Sequence, residues 1–334
     1  MTRIAILGGG SWGTALAIVL SNSRAPHRLS LWVHEPELAE AMRKSHANDT
    51  YLPGFAIPTA VEVTNSMPEV LQDAQIVFGV MPAAHARSVY TQALPWLAPQ
   101  MVFVSATKGL EPGTHARMSE VLTQVLAGRF APRFTVLSGP SFAVETARGD
   151  PTAVVIAAED AALAASVQEE CSGKSFRLYT NSDPLGVELA GAMKNVLAIA
   201  AGACEGLGFG QNSLAALLTR ALAEMTRLVV ALGGRPETLS GLAGLGDLVL
   251  TCTSSLSRNR SVGVELGRGR RLPEILAGML MVAEGVGTAS ALLDLARAAG
   301  VEMPISRQVY AILYENKSPR DAIPEIMERP LKQE

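Results

Sequence analysis

Between Gly244 and Arg260, a region otherwise built of Ala, Leu and Gly acquires a carboxylate (Asp247), hydroxyls (Thr251, Ser257), guanidiniums (Arg258, Arg260) and an amide (Asn259). Read as helix, the segment sets Asp247 and Thr251 one turn apart on one face, with Arg258 near the same side two turns on. Such a surface suits a small anionic substrate. Upstream, Lys194 and Asn195 interrupt Leu189–Gly202, a stretch hydrophobic nearly all round and therefore expected to be buried. A lysine there is costly unless it is paired or lines a cavity, and the alternative is that it snorkels to the surface. Desolvation and a nearby cation lower a lysine's pKa toward neutrality, the condition for general acid–base work. Asn195 is placed to orient that lysine or a substrate hydroxyl.

Gly8-Gly9-Gly10-Ser11-Trp12-Gly13 matches G-x-G-x-x-G between a strand and a helix, the context of a dinucleotide site. Gly8 allows the tight turn, Gly10 lets the backbone approach a pyrophosphate, and Gly13 lets the helix pack on the sheet. The helix N-terminus offers N–H groups and partial positive charge to the anion. At the tip of the second strand stand His34 and Glu35. A histidine can meet the 2′-phosphate of NADP, whereas a carboxylate favours the ribose hydroxyls of NAD; NADP is slightly favoured, with NAD left open. Lys108 follows the fifth strand, at the carboxyl end where ligands of open parallel sheets bind. After the sixth strand, Gly139, Ser141 and Ala143 let a cofactor and substrate approach the main chain.

These residues need a scaffold, and the chain reads as α/β. Ile4–Leu7, Leu29–Val33, Val61–Thr64, Ile76–Val80, Val102–Ser105 and Thr135–Ser138 read as buried strands alternating with helical segments. That alternation predicts a Rossmann-type, mainly parallel sheet with helices on both faces. Thr152–Ala157 and Phe176–Thr180 extend its far edge. After Asn181 strand signals vanish, and seven helices are expected, near 184–204, 212–232, 241–252, 258–267, 286–299, 304–315 and 319–328. The domains are therefore read as 1–182, dinucleotide-binding, and 183–334, all-helical and substrate-binding. With 334 residues, 48% hydrophobic, 18% charged and a net charge of -3, the chain has ample core and no basic field for nucleic acid. Its three cysteines and five histidines lack metal or disulfide spacing. A strand begins at once at the N-terminus, which leaves no room for a signal peptide. A cytoplasmic protein without integral membrane association is expected.

Together these residues resemble the bacterial-type NAD(P)-dependent glycerol-3-phosphate dehydrogenases. The matching segments are Gly8–Gly13, Tyr51–Gly54, Ala106–Glu111, Ser138–Ala143, Lys194–Val196, Gly244–Leu248, Ser257–Arg260 and Val282–Gly285. The resemblance implies dinucleotide contacts from Ser11, Trp12, His34, Lys108, Ala143, Arg258, Val282 and Glu284. It implies substrate contacts from Lys108, Gly139, Ser141, Lys194, Asp247, Ser257, Arg258 and Asn259, with Lys194 as the general acid–base. The implied reaction interconverts dihydroxyacetone phosphate and sn-glycerol 3-phosphate and feeds glycerophospholipid synthesis. Lys108 would add charge near the reacting oxygen, Asp247 would balance Lys194, and Thr251 and Asn195 would bond substrate oxygens. Arg258 and the Asn259 amide would hold the phosphate. Three positions depart from the family pattern: Trp12, Val33 before the ribose contact, and Ala83-Ala84. A ketopantoate or β-hydroxyacid reductase would share the fingerprint and the lysine without needing Ser257-Arg258-Asn259. A dinucleotide sensor would need neither lysine. A homodimer is expected from the apolar helices of the second half.

Overall fold

The computed structural model describes residues 1–331 and Gln333. The chain separates into two compact units, residues 1–111 with 116–188, and residues 112–115 with 189–334.

The first unit is built on strands β1 (Thr2–Leu7), β2 (His27–Trp32), β3 (Ala47–Asn48), β4 (Leu52–Ala56), β5 (Val61–Thr64), β6 (Ile76–Gly79), β7 (Val102–Ser105), β8 (Arg133–Ser138), β9 (Thr152–Ala157) and β10 (Phe176–Asn181). Eight form one sheet in the order β10-β9-β8-β7-β6-β1-β2-β5, with β3 and β4 pairing apart as a hairpin. Neighbours in the sheet run parallel except β8 and β9. Helices α1 (Ser11–Leu20), α2 (Pro36–Ser45), α3 (Met67–Leu71), α4 (Ala83–Ala93), α5 (Met118–Val125), α6 (Ala143–Arg148) and α7 (Ala161–Cys171) complete the unit.

Period-two alternation sorts the strand residues onto two faces. Ile4 and Ile6 pack with Leu16 of α1, Met42 of α2 and Val167 of α7. Ala5 and Leu7 pack with Val70 of α3, Tyr90 of α4 and Leu122 of α5. The strand order reverses at β1, which pairs β2 on one side and β6 on the other. Ligands of open α/β sheets bind beyond the carboxyl ends at such a point, and Gly8 follows β1 there. The expected strands all form. The β3–β4 hairpin was not expected from the sequence, because Pro53 and Gly54 read as turn residues and β3 is two residues long.

The second unit is helical. Its helices are α8 (Pro184–Gly206), which starts in the first unit, α9 (Gln211–Ala231), α10 (Pro236–Ser240), α11 (Asp247–Thr253), α12 (Arg258–Gly267), α13 (Leu272–Ala277), α14 (Glu284–Ala298), α15 (Pro304–Tyr314) and α16 (Pro319–Met327). Asp183 starts α8 by accepting the Gly186 N–H at 2.8 Å. Among the described residues α8 alone is long and apolar enough to cross a membrane, yet 89% of its apolar window is buried within the protein. The single helix expected over 241–252 is broken. A π-helical turn, Leu242–Gly246, precedes α11, with the Gly246 N–H donating to Gly241 O at 3.1 Å. Glycine permits this: a Cβ on Gly244 would overlap Leu239 O.

Four further glycines bring α8 against α12. Side chains on Gly202 or Gly206 would overlap the carbonyls of Arg260 or Val264, and on Gly263 or Gly267 those of Ile199 or Ala203. Two G-x-x-x-G faces thus meet backbone to backbone. This contact places Lys194 and Asn195, about two turns before Gly202, in register with the start of α12.

Candidate functional site

In the first unit the glycine segment turns sharply over the switch point. Gly8 has φ +133°, and a Cβ there would lie 2.9 Å from Val80 O, just past β6. A Cβ on Gly13 would overlap Gly8 O, so the turn closes only without one. Gly10 differs: nothing lies within 4 Å of its Cβ position. It begins α1, and no side chain caps that end. Three N–H groups of the first turn, at Ser11, Trp12 and Gly13, therefore precede the first intrahelical bond, Thr14 N–H to Gly10 O at 3.0 Å. A pyrophosphate fits this cradle of open backbone and helix dipole.

The other residues of this unit fall into two groups. Lys108 Nζ and Ser141 Oγ both donate to Gly139 O, each at 2.9 Å, and Gly139 itself has φ +139°. One carbonyl thus gathers three of the residues expected on substrate, Lys108, Gly139 and Ser141. His34 is exposed past β2, with its ring edge-on to Trp32 at 5.6 Å. Trp12 and Ala143 each pack against the small cluster of Ala15, Ile18 and Leu52, and the Trp12 Nε1 is buried without a hydrogen-bond partner in the protein. Val33 is buried, and its Cγ2 would lie 2.7 Å from a Cβ on Gly9, so this departure from the family pattern packs on a glycine. Glu111 is held bidentately by Arg87 at 2.7 Å for each bond, a structural pair.

In the second unit Lys194 is buried, 6% exposed, and does not snorkel. It is ion-paired with Asp247, 1% exposed, and its Nζ also donates to Thr251 Oγ1 at 2.9 Å. Thr251 in turn donates to the Asp247 carbonyl one helical turn back, at 2.6 Å. A buried ammonium is tolerable only with such compensation. Cys252 beside them is an unreactive thiol, its pKa pushed up to about 12 chiefly by burial.

Asn195 and Asn259, expected on substrate oxygens, bond each other. Asn259 Nδ2 donates to Asn195 Oδ1 at 3.0 Å and Asn259 Oδ1 accepts the Gly285 N–H at 2.9 Å, while Asn195 Nδ2 donates to Gly191 O at 3.3 Å. These bonds clamp α8, α12 and the start of α14. The Asn259 side chain is thereby turned inward, which leaves its backbone N–H as the group offered at the start of α12. Ser257 caps that start, accepting the Arg260 N–H at 3.2 Å. Arg260 pairs with Glu205. Arg258 presents an exposed surface, yet desolvation among its neighbours lowers its guanidinium's pKa from the ordinary value, with the opposite charge of Glu284, the first residue of α14, working against that fall. Val282 is exposed two residues earlier.

Sequence reasoning missed Asn48, Glu224 and Gly285. Only the glycine has a sequence signal, as part of the Val282–Gly285 segment. Buried polar hubs such as Asn48 and Glu224 look like turn or surface residues in a sequence. Among the described residues no cluster of metal-ligating side chains occurs.

The comparisons with known proteins agree with one another. The family described as NAD-dependent glycerol-3-phosphate dehydrogenase N-terminus matches residues 3–164, and its C-terminus counterpart matches 183–324. The glycerol-3-phosphate dehydrogenase (NAD(P)+) of Koribacter versatilis is 56% identical over 331 residues, covering 99% of this chain and 98% of that one. Its namesake in Acidobacterium capsulatum is 52% identical, over 100% of both chains. The crystal structure of glycerol-3-phosphate dehydrogenase from Coxiella burnetii superimposes with a TM-score of 0.92 at 40% identity, covering 98% of this chain and 99% of that one.

Proposed function

The chain belongs to the NAD-dependent glycerol-3-phosphate dehydrogenases, and from that membership we propose how its residues divide the work. It is an NAD(P)-dependent oxidoreductase that reversibly reduces dihydroxyacetone phosphate to sn-glycerol 3-phosphate. The product supplies glycerophospholipid synthesis. Residues 1–182 form the dinucleotide part and 183–334 the substrate part.

The observation that carries the assignment of chemistry is the buried Lys194–Asp247–Thr251 cluster. The nicotinamide, when bound, supplies the hydride. Lys194 donates a proton to the ketone oxygen as negative charge develops there, and takes it back in the reverse direction. Asp247 compensates the ammonium, and Thr251 fixes its direction. Lys108, with Gly139 and Ser141, supplies a second cation and polar contacts to the substrate. Arg258, the Ser257-capped start of α12 and the backbone N–H of Asn259 hold the phosphate. Asn195 acts on the substrate side through its bond to Asn259. Gly8, Gly10, Ser11, Trp12 and Gly13 hold the dinucleotide, with His34 at the ribose end, where an imidazole can meet a 2′-phosphate and so slightly favours NADPH. Ala143, Arg258, Val282 and Glu284 complete the cofactor contacts.

A homodimer is supported by exposed Phe209, Val230, Leu245, Val249 and Leu256 in the helical unit. The buried thiols of Cys171 and Cys252 suit a reducing, cytoplasmic setting. The test is turnover of dihydroxyacetone phosphate against unphosphorylated dihydroxyacetone. Wild type should strongly prefer the phosphorylated ketone. Arg258→Ala should raise the KM for it by about 10- to 100-fold, the worth of a charge-assisted contact. Equal wild-type activity on both ketones contradicts the phosphate assignment.

A further inference from the structure

Asn48 is completely buried, although it sits on a two-residue strand of a hairpin outside the main sheet. A buried primary amide costs free energy unless its donors and acceptor are engaged. Here they are. Nδ2 donates to Gly9 O and to Thr14 Oγ1, both at 2.8 Å, and Oδ1 accepts the Tyr51 N–H at 3.1 Å. Gly9 lies within the glycine turn and Thr14 directly follows it, so one amide grips both ends of the turn. Gly9 also rests on Val33, whose methyl would lie 2.7 Å from a Cβ there. The turn is thus held by a packing contact and a two-pronged hydrogen bond. The third bond of Asn48 reaches Tyr51, whose hydroxyl lies 3.5 Å from Glu35 next to His34.

We propose that Asn48 is the positioning residue of the dinucleotide site, fixing Gly9–Thr14 in its receiving shape and tying that turn to the ribose end through Tyr51. The proposal rests on the reading of Gly8–Gly13 as the pyrophosphate cradle. Asn48 touches no cofactor atom in this scheme. It acts through the carbonyl of Gly9 and the hydroxyl of Thr14, which set the direction of the neighbouring N–H groups. Holding those groups in place beforehand removes an ordering cost from binding.

The experiment measures Kd for NADH and for NADPH by fluorescence titration of wild type, Asn48→Ala and Asn48→Ser. It adds cofactor KM, kcat at saturating cofactor, and Tm. Both variants should raise Kd and KM about tenfold or more, by the same factor for the two cofactors because the pyrophosphate is common to them. At saturating cofactor, kcat and the KM for dihydroxyacetone phosphate should stay within about twofold of wild type, because the turn is restored once occupied. Asn48→Ser keeps a hydroxyl donor and should lose less affinity than Asn48→Ala. A variant with lowered Tm and an unchanged cofactor Kd overturns the proposal, since Asn48 would then only stabilise the fold. Wild type that binds neither dinucleotide overturns the cradle reading itself, and is distinguished from the first failure by the wild-type titration alone.

Discussion

Glycine builds both candidate sites of this protein, but to opposite ends. In the first unit it makes room: Gly8 adopts a left-handed φ, Gly13 lets the turn close, and Gly10 faces open space at a helix start. The backbone itself is what a ligand would meet. In the second unit Gly202, Gly206, Gly263 and Gly267 remove room. They press α8 onto α12 until carbonyls meet Cα atoms, and Gly285 does the same for α14 against Asn195. What results is an arrangement of side chains: Lys194 with Asp247 and Thr251, and Asn195 with Asn259. The first region is a backbone site that side chains support, and the second is a side-chain site that backbone contacts support.

Alanine at one glycine of each region separates the two uses. Gly13→Ala forces α1 off the turn, and its cost should fall on cofactor binding, raising KM for NADH and NADPH on the order of 100-fold. Gly263→Ala should destabilise by about 1–3 kcal/mol, as overpacking does. It should lower kcat while leaving cofactor Kd near wild type. If Gly263→Ala instead weakens cofactor binding as much as Gly13→Ala, the division fails.

A smaller effect sharpens the contrast within the helical unit. Glu224 on α9 caps α15 from the side, accepting Ser306 Oγ–H at 3.1 Å and the N–H groups of Ile305 and Ser306. Burial raises its pKa, with the hydrogen bonds from Ile305 and Ser306 working against the rise. The folded state therefore holds the proton more tightly than the unfolded chain. Its contribution to stability is complete below about 4.5, the ordinary value, and is lost as pH rises through the raised pKa. Glu224→Gln cannot titrate, so its stability deficit relative to wild type should narrow as pH increases. Urea unfolding from about pH 4 to about pH 8 measures this, and a deficit that widens contradicts the burial argument.

The contrast also explains what a reader of the sequence can and cannot see. Gly8, Gly10 and Gly13 lie within six residues, so the strand–turn–helix they serve is legible directly, as are the strands, short segments rich in Val, Ile, Leu and Phe. Asp247 and Thr251 are legible because helical spacing puts them on one face. Their partner Lys194 lies 53 residues from Asp247, and only its apolar surroundings signal that it is buried. The α8–α12 contact is harder still. Gly202–Gly206 and Gly263–Gly267 share the same spacing, but nothing in the sequence says that the two faces meet. The break at 242–246 escapes because a glycine-rich helix and a π-helical turn have the same composition. Asn48 escapes because an asparagine before Asp49, Pro53 and Gly54 has the composition of a surface turn.

In the proposed division of work Lys194 supplies the proton, while the glycine turn holds the cofactor's pyrophosphate without help from that lysine. Lys194→Ala, assayed in parallel for turnover of dihydroxyacetone phosphate and for NADPH binding, tests both halves at once. The variant's kcat should fall about 10³-fold, within the range for loss of a general acid, with a cofactor Kd within about twofold of wild type. Near-normal turnover, or a dinucleotide affinity that collapses together with kcat, would contradict that division.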